Sequence, residues 1–125
     1  AARLGVGYGL HGHRRLVATV GHANAREIMF AARRYDAEEA RAMGLVNRVL
    51  PTDELENWVR DFAAGLAANA PLTQAASKAA INALIVAEGD FAACEALAAR
   101  CFDSADYREG REAFMQKRKP RFRGL

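Results

Sequence analysis

From residue 52 onward the apolar positions follow a helical period. Leu55, Trp58, Val59, Phe62 and Leu66 recur at i, i+3, i+4, i+7 and i+11, one face of a helix that Thr52 or Asp53 would cap. Pro71 suits the first turn of a second helix, which runs through alanine-rich sequence to Ala87 and stops at Gly89. Asp90 caps a third, with Phe91, Cys94, Leu97, Ala98 and Cys101 along one face. Asp106, with Glu109 three positions on, caps a fourth that ends near Lys119-Pro120. The first fifty residues are less regular. A glycine-rich stretch (Gly5, Gly7, Gly9, Gly12) leads into a helical segment from about Arg14 to Val20, with Gly21 as its stop, and Ala23 to Ala32 is helical again. Asp36 and Glu39 have the spacing of a capping box, and Gly44 supplies the left-handed residue that closes this short helix. Leu45 to Leu50 is a strand candidate ended by Pro51. One strand makes no sheet, so the predicted fold is mainly α with one short strand, either all-helical or lacking its other strands.

Composition supports that picture. The 125 residues hold 28 alanines against ten aromatic side chains, which favours helices over a β-sandwich or barrel. No apolar run approaches the roughly 18 residues of a membrane span, and the first residues lack the order of a signal peptide. They also lack an initiator Met, which suggests a fragment. Cys94 and Cys101 have no C-x-x-C spacing, and on one helix their Cα atoms stand roughly 10 Å apart, too far for a disulfide. Two free thiols in a cytoplasmic protein are expected.

The net charge of +3 is uneven. Residues 108–125 carry seven cations against Glu109 and Glu112, a balance that suits a solvated surface, a phosphate site or a nucleic-acid arm. Too few aromatics are interleaved for base stacking. Gly7 to Gly12 spells G-x-G-x-x-G, but no strand precedes it, so it reads as a tight turn into a helix. His11 and His13 fall in a predicted loop and His22 beyond a separate helix, without the fixed spacing of a metal site, and no metal is expected. Residue chemistry alone singles out no catalytic group.

The order of the segments is more specific. Leu4-Gly5, Gly9, Gly12, Arg15-Leu16 and Val20-Gly21 resemble the L-G-x-x-P-G-x-G-G-x-x-R-L…V-G stretch of the enoyl-CoA hydratase/isomerase (crotonase) superfamily. Arg34 to Ala40 and Gly44 to Val49 are similar to its A-x-E-A-x-x-x-G-L-V-n-x-V block. Pro71, Lys78 and the tail from Asp106 to Gly124 resemble its P…K…D-x-x-E-G…A-F…K-R-x-P-x-F-x-G ending.

This resemblance implies the C-terminal half of an α/β parent, a spiral of β-β-α turns of the ClpP/crotonase type. Residues 1–50 would be the end of the spiral core with its glycine-rich active-site loop, and residues 51–125 the helical oligomerisation region. The implied parent binds an acyl-CoA thioester as substrate, with no covalently bound cofactor, and stabilises its enolate in order to hydrate or isomerise a 2-enoyl-CoA. The family's oxyanion hole and first catalytic glutamate belong to the other half, so this chain alone is expected to be inactive. A second glutamate, four residues before the glycine matched by Gly5, falls on Ala1, which moves no proton. Tyr8 stands for a family proline beside Gly9, so Gly5, Tyr8 and Gly9 are the acyl-site loop. The family's Phe and Lys that reach toward the CoA nucleotide of an adjacent subunit fall on Phe114 and Lys117; without the resemblance these read as a core Phe and a solvated Lys. A homo-oligomer, a trimer or a hexamer of paired trimers, is implied, with neither membrane nor nucleic acid as partner. The alternatives are a non-catalytic helical assembly module and a basic helical nucleic-acid binder.

Overall fold

The computed structural model describes residues 2–4, 7–85 and 89–125. They form two compact units, Ala1–Thr52 and Asp53–Leu125. In the first, a 3-10 turn (Ala2–Leu4) precedes helix α1 (Leu10–Ala31) and the short helix α2 (Ala37–Ala42). Helix α1 starts earlier than its apolar pattern predicts. Gly9 is its N-cap; the Gly9 carbonyl accepts from the Gly12 and His13 amides at 3.1 and 3.3 Å, and lies 3.1 Å from His13 Nδ1. Those bonds draw Gly12, His11 and His13 into the helix, so the two histidines are helical rather than in a loop; His22 follows the Gly21 break, also within α1. Gly21 breaks α1 with φ 76° and ψ 169°, the predicted stop appearing as a kink between two helical segments. Beside the kink the Val20 carbonyl accepts from Asn24 Nδ2 at 3.0 Å.

The capping box of α2 is complete. Asp36 Oδ1 accepts from the Glu39 amide at 2.8 Å, and Glu39 Oε2 accepts from the Asp36 amide at 3.0 Å. Arg33 braces the loop before it, 2.8 Å from Glu39 and 3.1 Å from Glu27, with its guanidinium 3.8 Å over the Tyr35 ring. The helix closes on Gly44 at φ 78°: the Gly44 amide donates to Arg41 O at 3.0 Å and the Leu45 amide to Ala40 O at 2.9 Å. The strand expected over residues 45–50 is absent. The Leu45 and Val46 amides are spent on the Ala40 carbonyl, and no strand exists among the described residues to pair with this one.

The second unit holds α3 (Thr52–Ala67), α4 (Pro71–Ile85), α5 (Phe91–Asp103) and α6 (Ala105–Met115). Thr52 and Asp53 both lie inside the first turn of α3, so neither caps it from outside. Pro71 is the first residue of α4, where its missing N–H costs nothing. The predicted helix end at Ala87 lies outside the described residues. Asp90 caps α5, accepting from the Ala93 amide at 2.9 Å, and Cys94 and Cys101 on that helix are free thiols. Helix α4 packs along α5, and α5 meets α6. The buried apolar positions are small: Ala76, Ala83 and Ala113. Alanine faces let backbones approach closely while the large side chains stay outside. Leu55, Val59, Phe62 and Leu66 on α3 remain 45–52% exposed, so the apolar stripe has little of this chain over it.

The cap of α6 differs from the expectation. Ser104 is the N-cap, its Oγ accepting from the Tyr107 amide at 3.0 Å. Asp106 sits in the first turn, only 3% exposed, and accepts from the Arg123 and Gly124 amides at 2.7 Å each. The Asp106–Glu109 spacing imitates a capping box, but both carboxylates are turned to the C-terminal tail instead. No helix among the described residues is long and apolar enough to cross a membrane.

Candidate functional site

Two of the predicted site residues lie at the end of α6. The helix stops at Met115 with Gln116 as C-cap, and Lys117 follows in the left-handed region at φ 54°. The Lys117 amide donates to Phe114 O at 3.2 Å and the Arg118 amide to Ala113 O at 3.0 Å, the paired bonds of a glycine-type helix ending. Glycine is the usual residue there because a side chain at positive φ costs roughly 1–2 kcal/mol. Here a lysine takes the position, and its ammonium has no hydrogen bond or ion pair among the described residues. Phe114 is 84% exposed, contrary to a core reading. It borders an apolar groove of about 670 Å3 walled by Leu72, Ala76, Ala98, Phe102 and Phe122.

The residues after Lys117 are fixed by acid groups on α6. Arg118 makes a two-pronged contact with Glu109, NH1 to Oε1 at 2.6 Å and NH2 to Oε2 at 2.9 Å. Glu109 Oε1 also accepts from the Arg121 amide at 2.8 Å. The Arg118 guanidinium first, and the Arg121 amide second, pull the Glu109 carboxyl down to about 2, and Glu109 in turn raises the Arg118 guanidinium. Beyond them Asp106 holds the Arg123 and Gly124 amides, and Leu125 O accepts from the Ala105 and Asp106 amides. The basic tail is thus a strap laid back on α6. Its cleft, about 920 Å3, is bordered by Lys119, Arg121 and Arg123 as well as the Glu109–Arg118 pair. Sequence reasoning missed Ser104, Glu109 and Arg118 as structural partners. The signal available was a second capping residue two positions before Asp106 and an acid–base pair nine residues apart.

The remaining candidates belong to the first unit. Ala1 and Gly5 lie outside the described residues. Tyr8 is 61% exposed and meets the His13 ring edge-on, with centroids 6.2 Å apart. Together with Leu16, Ile28, Met29 and Leu45 these two rings border a pocket of about 390 Å3, and Gly9 is the N-cap of α1 beside them. Among the described residues Phe114 and Lys117 are thus linked only through the helix-ending bond between Lys117 N and Phe114 O, and Tyr8 faces His13 rather than Gly9. Among the described residues no three His, Cys, Asp or Glu side chains cluster as metal ligands.

The family model described as Enoyl-CoA hydratase/isomerase matches residues 1–124. The chain belongs to this family. It is 34% identical to methylmalonyl-CoA decarboxylase of Escherichia coli, over 97% of this chain and 48% of that protein. It is 37% identical to short-chain-enoyl-CoA hydratase of Clostridium acetobutylicum, over 93% of this chain and 45% of that protein. The crystal structure of an enoyl-CoA hydratase from Bacillus anthracis superposes with a TM-score of 0.80 and 29% identity, covering 98% of this chain and 48% of that one. The chain spans about half the length of the curated relatives it matches, and corresponds to their C-terminal half. The solved structures it superposes on are crotonase-fold proteins, matched over about half of their length.

Proposed function

We propose that the protein to which these residues belong binds an acyl-CoA thioester and stabilises its enolate, hydrating or isomerising a 2-enoyl-CoA. In this reading residues 1–50 end the spiral core, and residues 51–125 form the helical region through which copies assemble as a trimer or hexamer. Phe114 and Lys117 reach the nucleotide of a CoA bound by an adjacent copy, and Gly5, Tyr8 and Gly9 belong to an acyl-site loop. The observation that carries the reading is the unpaired Lys117 ammonium, kept at an unfavourable backbone angle one turn beyond an exposed Phe114 in a chain of this family. A lysine serving only as a helix stop would be replaced by glycine at a gain in stability. Calorimetry of CoA binding to the full-length protein tests it. Lys117→Ala should weaken binding roughly five- to hundredfold, the loss of one charge-assisted contact of about 1–3 kcal/mol. Arg123→Ala should give only a small loss that vanishes with salt. Equal, salt-sensitive losses for both would refute the role of Lys117.

One observation favours a second reaction. Hydration needs a group to move a proton at the α-carbon, and by the family resemblance the slot for it falls on Ala1. Decarboxylation of a carboxyacyl-CoA needs no such base, because breaking the C–CO2 bond leaves its electron pair on the α-carbon as the enolate. The bond to CO2 is lost and a proton from solvent or an acid completes the product. A decarboxylase among the relatives agrees with this route. Assaying the full-length protein with crotonyl-CoA and malonyl-CoA separates the two: release of CO2 without hydration supports the second, and hydration by the Ala1-containing enzyme supports the first.

A further inference from the structure

Two backbone bonds, Lys117 N to Phe114 O and Arg118 N to Ala113 O, close the turn at the left-handed Lys117 locally. That turn is a single-residue reversal with a conformational cost, followed by the exposed residues 118–121. A second brace lies eight residues back on α6. Glu109 grips the Arg118 guanidinium with both oxygens and the Arg121 amide with one, at 2.6–2.9 Å, so the segment on the far side of Lys117 is tied at two points to the helix on the near side. A relay completes the brace: Arg118 Nε donates to Gln116 Oε1 at 2.8 Å, and Gln116 Nε2 donates to Glu112 Oε1 at 2.9 Å. Of the adjacent Lys117-Arg118 pair, one cation is therefore consumed by structure and the other is left over. The Glu109 carboxylate is only 23% exposed, enough shielding for a forked pair to outlast solvent competition better than an open surface pair.

We propose that Glu109 is a positioning residue. Through Arg118 and the Arg121 amide it holds the turn that presents the Lys117 ammonium, and so sets affinity for the CoA phosphates without touching them. This rests on the reading that Lys117 contacts CoA. Neutralising Glu109 removes the fork, frees Arg118 as a competing mobile cation, and lets Lys117 leave the left-handed region.

The test is a double-mutant cycle in the full-length protein, with calorimetric binding of free CoA as readout and Glu109→Gln and Lys117→Ala as the two changes. Lys117→Ala alone should weaken CoA about tenfold, and Glu109→Gln alone about fivefold. In the Lys117→Ala background Glu109→Gln should add less than about a 1.5-fold further loss, because the group it positions is gone. Arg118→Lys, which keeps the charge but not the fork, should behave like Glu109→Gln and serves where that variant folds poorly. A general loss of structure would weaken CoA equally in both backgrounds, and that result overturns the proposal while leaving the Lys117 reading intact. So does wild-type affinity in Glu109→Gln when Lys117→Ala is impaired. Unchanged affinity in Lys117→Ala overturns the reading itself, and the positioning role with it.

Discussion

Asp106 offers a direct check on the strap. It is nearly fully buried, and each of its oxygens accepts one tail amide, from Arg123 and Gly124, at 2.7 Å. Bonds to a charged acceptor contribute about 1.5–3 kcal/mol each, so the pair supplies about 3–6 kcal/mol. Releasing residues 123 and 124 returns about 1–2 kcal/mol of backbone entropy for each, about 2–4 kcal/mol in all. The difference, about 1–2 kcal/mol, is what Asp106 contributes to keeping the tail down. Asp106→Asn preserves shape but turns one acceptor into a donor facing an amide, so it should lose most of this. Native-state hydrogen exchange reads the effect locally. The Arg123 and Gly124 amides should exchange roughly five- to thirtyfold faster in Asp106→Asn, since about 1.4 kcal/mol is a factor of ten. Glu109→Gln serves as control, accelerating Arg121 more than Gly124. Exchange at Arg123 and Gly124 within twofold of wild type in Asp106→Asn would refute the assignment of the tail to this carboxylate.

Acid should loosen the same region. The folded value for Glu109, about 2, lies below the ordinary carboxylate value near 4.3, so its contribution is complete above that value and is lost as pH falls towards 2. Glu39, lowered by Arg33 and the Asp36 amide, acts in the same direction. Chemical denaturation from pH 6 to pH 2 should show a stability loss that is shallower in Glu109→Gln; parallel profiles would contradict it. Gly44→Ala should destabilise by about 1 kcal/mol, since the added methyl has room, 3.5 Å from Thr19 O, but not the backbone angle. Lys117→Gly should do the opposite by a similar amount, and urea midpoints decide both. Light scattering at micromolar concentration should find an oligomer, since the α3 stripe is half exposed; a monodisperse monomer would contradict that reading.

Much of the fold is legible wherever one local interaction decides it. Asp36, Glu39, Gly44, Pro71 and Asp90 act through neighbours at most five residues away, and each does what its spacing predicts. The strand expectation failed because it depends on more than a local interaction. Residues 45–50 have strand composition, but a strand is completed by a partner strand, and among the described residues there is none. The stripe from Leu55 to Leu66 has a helical period and forms a helix, yet periodicity states that a face is apolar without stating what covers it.

Asp106 shows why the candidate site was harder to read than the helices. A carboxylate at a helix start has two uses, capping its own helix or receiving donors from elsewhere, and local spacing ranks the first above the second. What reverses the ranking is contact 17 and 18 residues away, between Asp106 and the Arg123 and Gly124 amides, which no local pattern encodes. Once Ser104 takes the cap, Asp106 is released for the tail, and Glu109 with it. The basic run that looks uniformly solvated in sequence then divides by geometry. Arg118 is committed to Glu109, while Lys117, next to it, is held in a conformation its side chain does not favour and keeps its ammonium free of any partner among the described residues. Two adjacent cations of the same formal charge thus stand in different surroundings, and the difference comes from which of them the carboxylate on α6 has already taken.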